Sequence, residues 1–185
     1  MKDYTYLQIA HTVSKESKCV SYKVGAILVK DGRVIITAYN GTPSGFINCC
    51  DQFKNTSYAK GTPTSEDRHM HHEWSNKFEV HAEINAMAFA AKHGISTSSA
   101  TLYCTHRPCH NCLKSVIPAG IIKVVYMNEY DKDLWTEETY DLIRSTKMIV
   151  ERFGQEGKIE VSASNISIEP RLGYWESMVQ SCPTR

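Results

Sequence analysis

Glu79-Val80-His81-Ala82-Glu83-Ile84-Asn85-Ala86 and Pro108-Cys109-His110-Asn111-Cys112 are the stretches on which the reading of this chain turns. Residues 80–92 predict a helix with Val80, Ile84, Met87, Ala88 and Ala91 on one face, stopped by Gly94. Residues 109–118 predict a second helix with Pro108 at its mouth. Cys109 and Cys112 are three apart, so one helical turn points both thiols the same way. At a helix N-terminus the macrodipole favours the thiolates that a metal needs. His81, Cys109 and Cys112 thus offer three zinc ligands, and a catalytic zinc takes three protein ligands and keeps a fourth position open for water. Glu83 lies two residues from His81, near enough to touch that water without binding the metal. A buried carboxylate there can take the water's proton and pass it to a substrate. A lone C-x-x-C reads as structural zinc and a lone H-x-E as chance. Their combination, each at a helix start and with a strand between them, reads as catalysis.

Working outward, residues 4–16 predict a helix with Tyr6, Ile9, Ala10 and Val13 on one face. Val24–Val29 and Val34–Tyr39, joined through Asp31-Gly32, predict a hairpin. Residues 40–78 read as a long irregular polar loop, an uncommon feature that points to function or to a local staple. Leu102–Cys104 is a short strand, Ile121–Tyr126 a strand apolar on both faces, 134–146 a helix and Met148–Phe153 a strand. Strands alternating with helices predict an α/β sandwich whose later strands are parallel. Residues 1–153 form one domain with the insertion 40–78; residues 154–185 form an extension whose alternating Ile159, Val161, Ala163, Ile166 and Ile168 suggest a hairpin or an edge addition.

A net charge of +1 offers no basic stripe for a nucleic-acid backbone. No run is apolar enough to span a membrane and no signal peptide is evident, so the expected compartment is the cytoplasm. There the seven cysteines are expected as reduced thiols and metal ligands.

H-x-E followed by P-C-x-x-C is the general pattern of zinc-dependent base deaminases. Around it, Ser17-Lys18-Cys19, Lys23-Val24-Gly25-Ala26, Tyr39-Asn40-Gly41-Thr42-Pro43-Ser44-Gly45, Asn48-Cys49-Cys50 and Cys104 to Cys112 resemble the deoxycytidylate branch of the zinc-dependent cytidine and deoxycytidylate deaminases, particularly its bacteriophage form. The similarity runs from about residue 5 to about residue 153. It implies a three-layer α/β/α cytidine-deaminase-like fold with a five-stranded mixed sheet, a homo-oligomer (often a hexamer), dCMP as substrate, and regulation by dCTP as activator and dTTP as inhibitor. If the source is viral, the compartment is the host cytoplasm.

The resemblance assigns some roles and the residues themselves suggest others. Asn40 is implied as a sugar contact, where the residues alone allow a turn asparagine in left-handed geometry. The Ala82 amide is implied to hold the base or the attacking oxygen. Tyr130, just past a strand end, is the candidate 5′-phosphate contact. Lys23 is a second, where a solvated lysine is the ordinary alternative. Cys19, Cys49, His71 and Glu79 are ligand-type residues that the family uses for a second, structural zinc; the residues alone leave open a solvated polar cluster. Cys50 and Cys104 read as packing residues. Phe89 and Lys92 are implied at a subunit interface and regulatory site, against a core phenylalanine and a solvated lysine. The competing functions are a dCTP deaminase, a tRNA or single-stranded DNA deaminase, and a zinc-stabilised binding module without catalysis.

Overall fold

The computed structural model of the protein describes residues 2–130 and 135–154. The sheet has five strands: β1 (Gly25–Lys30), β2 (Arg33–Tyr39), β3 (Thr101–His106), β4 (Lys123–Asn128) and β5 (Ile149–Arg152). Their order is β2-β1-β3-β4-β5. β1 is antiparallel to β2 and to β3, whereas β3, β4 and β5 are mutually parallel. The mixed sheet and its parallel second half agree with the sequence reading.

Alternation along the central strands builds two apolar layers. Leu28, Leu102, Val124, Tyr126 and Val150 face α4 (Ala82–His93), α5 (His110–Val116) and α6 (Glu137–Thr146). Ile27, Val29, Tyr103, Val125 and Met127 face α1 (Asp3–Ser14), which buries Tyr6, Leu7 and Ala10 against them. β3 and β4 are therefore apolar on both faces, as strands covered on both sides must be.

Two sequence expectations are corrected. The buried stripe of α4 is Ala82, Glu83, Ala86 and Ala90; Ile84 and Met87 are half-buried, and Ala88 and Ala91 are exposed. Alanines four apart let the helix close tightly on the sheet, and that contact outweighs the larger side chains one position away. Residues 40–78 are also not an irregular loop. They contain α2 (Cys49–Gln52), a 3₁₀ turn at Ser57–Lys60 and a four-turn helix, α3 (Ser65–Phe78). The Thr64 side chain accepts from the Asp67 N–H at 3.2 Å, and Glu66 and Asp67 sit in the first turn. α3 is so polar that it hides its periodicity; its few inward groups, His71 and Trp74, pack on Phe53 and Tyr58, while the exposed Phe78 stacks on Phe46. The expected hairpin or edge addition at 154–185 lies outside the described residues.

Gly25 fixes how closely α1 lies on the sheet. A Cβ at this position would fall 2.0 Å from the Ala10 carbonyl oxygen and 2.8 Å from the Ser14 nitrogen, both main-chain atoms that cannot step aside. Its own N–H donates to Thr105 Oγ1 at 3.0 Å, tying β1 to the end of β3. Gly25→Ala is expected to destabilise the fold by about 1–3 kcal/mol or more, as overpacking does; a lower denaturant midpoint with an unchanged m-value is the measurement.

Candidate active site

The site lies where β2, β3 and β4 end and β1 begins, since Gly25 pairs with Tyr39 and Ala26 with Cys104. Ligand sites of α/β sheets favour the carboxyl ends of their strands. After β3, Arg107-Pro108 turns the chain into α5, and Cys109 becomes the N-cap, its sulfur accepting from the Cys112 N–H at 3.4 Å. His81 is the N-cap of α4, held by an extended segment in which Val80 bridges to Gly41. The two helix starts bring His81 Nδ1 to 3.6 Å from the Cys109 sulfur and 3.4 Å from the Cys112 sulfur.

Two donor sets emerge among the described residues. His81, Cys109 and Cys112 form one, and Cys19, Cys49, His71 and Glu79 the other, with all ligand atoms of each set within 4.8 Å of one another. The first set is open, because His81 is exposed and Cys109 partly so. In the second, Cys19, Cys49 and His71 are buried and Glu79 is partly buried. Three donors with an open side suit a reacting metal, and four enclosed donors suit a structural one. Both sets fit zinc by the chemistry of their donors. Without a metal, Glu79 Oε1 is buried with no hydrogen-bond partner, an orphan that coordination would satisfy.

Electrostatics follow the same division. A hydrogen bond from Cys112, helped by His81, pulls the Cys109 thiol down to about 4, and the Cys112 thiol is held up in turn. The thiolate of Cys109 raises His81 to about 9. Cys49 likewise pulls Cys19 down to about 4. Burial, with repulsion from Cys19, raises Glu79 to about 7. A zinc ion would compete with the protons shared in each set, as metal binding to thiols generally does. Glu83 is 4% exposed, and burial pushes its carboxyl up. Its place in the first turn of α4 favours the ionised form in the opposite sense.

A cleft of about 140 Å³ opens over the first donor set, lined by His81, Ala82, Glu83, Cys109, Asn40 and Tyr130 among others. Asn40 is buried and does not adopt left-handed geometry. Its Oδ1 accepts from the Val24 N–H at 2.8 Å and its Nδ2 donates to the Tyr22 carbonyl at 3.0 Å. Tyr130 meets Tyr22 edge-to-face at 4.9 Å. Lys23 is exposed and is not among the cleft-lining residues. Phe89 is 47% exposed and stacked on His93 at 4.2 Å, so it is not a core residue; Lys92 is exposed on the same helix. Cys104 is fully buried in the core, as expected of a packing residue.

Sequence reasoning missed several contributors to this cleft. His106 and Arg107 follow β3 directly and could have been found by continuing the strand two residues. Arg107 ion-pairs with Glu129 at 3.2 Å and lies 5.0 Å over the Trp135 ring, while the Trp135 indole donates to the Pro108 carbonyl at 2.9 Å. The polar face of α3, with Arg68, His72, Ser75 and Asn76, forms one wall. Its sequence signal was the Thr64-x-x-Asp67 cap.

Comparison with known proteins agrees with this geometry. The family described as "Cytidine and deoxycytidylate deaminase zinc-binding region" matches residues 1–128. The deoxycytidylate deaminase of Enterobacteria phage T4 is 43% identical, the match covering 72% of this chain and 81% of that protein. The dCMP deaminase of cyanophage S-TIM5, solved in apo form and in complex with dCMP and dUMP, is 35% identical with a TM-score of 0.61. That match covers 82% of this chain and 99% of the apo chain. With its two helix starts converging on one His-Cys-Cys set beside a buried glutamate, the chain belongs to the cytidine and deoxycytidylate deaminase family.

Proposed function

We propose that this protein hydrolyses dCMP to dUMP and ammonia, supplying dUMP for thymidylate synthesis. The observation that carries the reading is Glu83, a buried carboxylate lining the cleft beside an open three-donor set. The phage relatives, one of them solved with dCMP and dUMP, support the choice of nucleotide.

Zinc held by His81, Cys109 and Cys112 supplies a Lewis acid that lowers the pKa of water from about 16 to around 7. Glu83 accepts the proton of the water that attacks C4 of the cytosine and delivers it to N3. Glu83 next takes the proton of the hydroxyl now on C4 and carries it to the departing amino group, the C4–N bond breaks, and ammonia leaves while the oxygen stays on C4. The Ala82 N–H, at the first position of α4, is one of the helix-end donors without an intrahelical acceptor, and it orients the base or the attacking oxygen. Asn40 anchors residues 22–24, and both polar atoms of its amide keep capacity for a sugar hydroxyl. Tyr130, which lines the cleft, contacts the 5′-phosphate in this reading.

The second donor set takes a structural zinc that ties the end of α1, the α2 segment and α3 together. The exposed stretch of α4 with Phe89 and Lys92 is a subunit contact in a hexamer, through which dCTP activates and dTTP inhibits. Such effectors act only by binding one conformation better than another. Sigmoidal dCMP dependence that dCTP makes hyperbolic is therefore expected; hyperbolic kinetics indifferent to both nucleotides would remove this regulatory part.

Glu83→Gln is expected to retain its zinc and lose about 10²–10⁴-fold in kcat, the range of general acid–base catalysis. Metal analysis with steady-state ammonia release tests this, and a variant with near-parental rate would refute the proton-shuttle role. Elemental analysis should give two zinc ions per chain, one lost in His81→Ala and the other in Cys49→Ala. Cys49→Ala should melt well below the parent while its folded fraction still turns over dCMP, because structural zinc contributes folding energy directly. One zinc per parental chain, with an unaltered melting point in Cys49→Ala, would reduce the second set to a polar cluster.

A further inference from the structure

The cleft is bordered by two arginines with different surroundings. Arg107 is nearly buried, its charge met by Glu129, which Arg152 also approaches at 3.6 Å. Arg68 is exposed at the lip of the cleft, and its Nε donates to the Pro63 carbonyl at 3.2 Å. Among the described residues no carboxylate pairs with Arg68. Lys23, the cation that the sequence suggested, lies outside the lining. Among the described residues, Arg68 is thus the lining arginine without a carboxylate partner.

The position of Arg68 is as informative as its charge. Arg68, His72, Ser75, Asn76 and Glu79 recur on one face of α3 and its end, so the insertion lays a polar rail along the cleft toward His81. At 1.5 Å per residue, Arg68 starts about 16 Å along the helix axis from Glu79. Arg68 and Glu83 line the same cleft, so a nucleotide whose base sits at Glu83 has Arg68 farther along its wall. Arg68 also borders an adjoining hollow of about 240 Å³ that shares Ser21 and Tyr22 with the cleft and adds Tyr58. Tyr22 in turn meets Tyr130. Hydroxyl donors and a guanidinium therefore surround the junction of the two spaces. A planar guanidinium with parallel N–H groups suits a phosphate.

Resting on the proposed reaction, we infer that Arg68, presented by the insertion helix α3, anchors the 5′-phosphate of the substrate and makes the enzyme select a nucleotide over a nucleoside. His72, Ser75 and Asn76 line the span between the base and that anchor.

The test uses the zinc-loaded full chain and its Arg68→Gln and Arg68→Lys variants, with thermal melts to verify folding. Binding of dUMP and of deoxyuridine is measured by calorimetry, and kcat and KM for dCMP and for deoxycytidine by ammonia release. Arg68→Gln should weaken dUMP binding and raise KM for dCMP by about tenfold or more, the scale of a lost hydrogen bond to a charged group. Its kcat and all its nucleoside values should match the parent, with Arg68→Lys between the two. Unchanged dUMP affinity in Arg68→Gln, or equal losses on nucleotide and nucleoside, would overturn the anchor. A parent that binds dUMP through Arg68 yet releases no ammonia from dCMP would support the anchor and refute the reaction.

Discussion

The convergence of two helix N-termini on one side of a sheet is the constraint from which the rest of the site follows. His81 and Cys109 are both N-caps, with extended backbone, at the starts of α4 and α5. Neither could hold its place if the helices sat farther from the strands. The stripe of Ala82, Ala86 and Ala90 lets α4 settle closely on β1 and β2, and Leu113 and Val116 seat α5 beside it. Small side chains in this layer thereby fix the distance between imidazole and thiolates. The same helix starts concentrate unsatisfied N–H groups where negative charge gathers: two thiolates, a glutamate and the oxygen attached during the reaction.

One short segment links the two donor sets. Glu79 belongs to the enclosed set, His81 to the open set and Glu83 to the proposed proton path, with Val80 bridged to Gly41 between them. The enclosed set is contributed by α2, α3 and the segment after α1, which have little apolar surface of their own beyond Phe53, Tyr58 and Trp74. The proposed structural zinc would cross-link this polar subdomain and compensate for the small core it can bury. It would also hold α3 against the cleft, whose wall its polar face forms.

Legibility in the sequence depended on the kind of force at work. The sheet and the helices on its faces could be read because alternation and 3.6-residue periodicity report burial, and each of these elements buries one face. The His81, Glu83, Cys109 and Cys112 constellation could be read because metal chemistry restricts residue type and spacing together. α3 could not, because a helix held by a cap, a metal-type cluster and a few aromatics carries a polar sequence. The buried face of α4 was misread for a related reason: bulky Ile84 and Met87 dominate the pattern, whereas close packing selected the alanines. Arg68 and Arg107 were overlooked because a cation signals a site only once its partners are known. Asn40 was legible as a candidate and does line the cleft, but its amide geometry, bonded to Val24 and Tyr22, depends on a contact between β2 and the preceding segment that spacing alone does not specify.

The most direct test of the account is a substrate panel: ammonia release by the zinc-loaded protein from dCMP, CMP, dCTP, cytidine and a single-stranded oligonucleotide at matched concentrations. The account predicts that dCMP is turned over much faster than cytidine or the oligonucleotide, with dUMP as the product. Comparable release from the oligonucleotide, or none from dCMP under conditions where both donor sets hold metal, would contradict it.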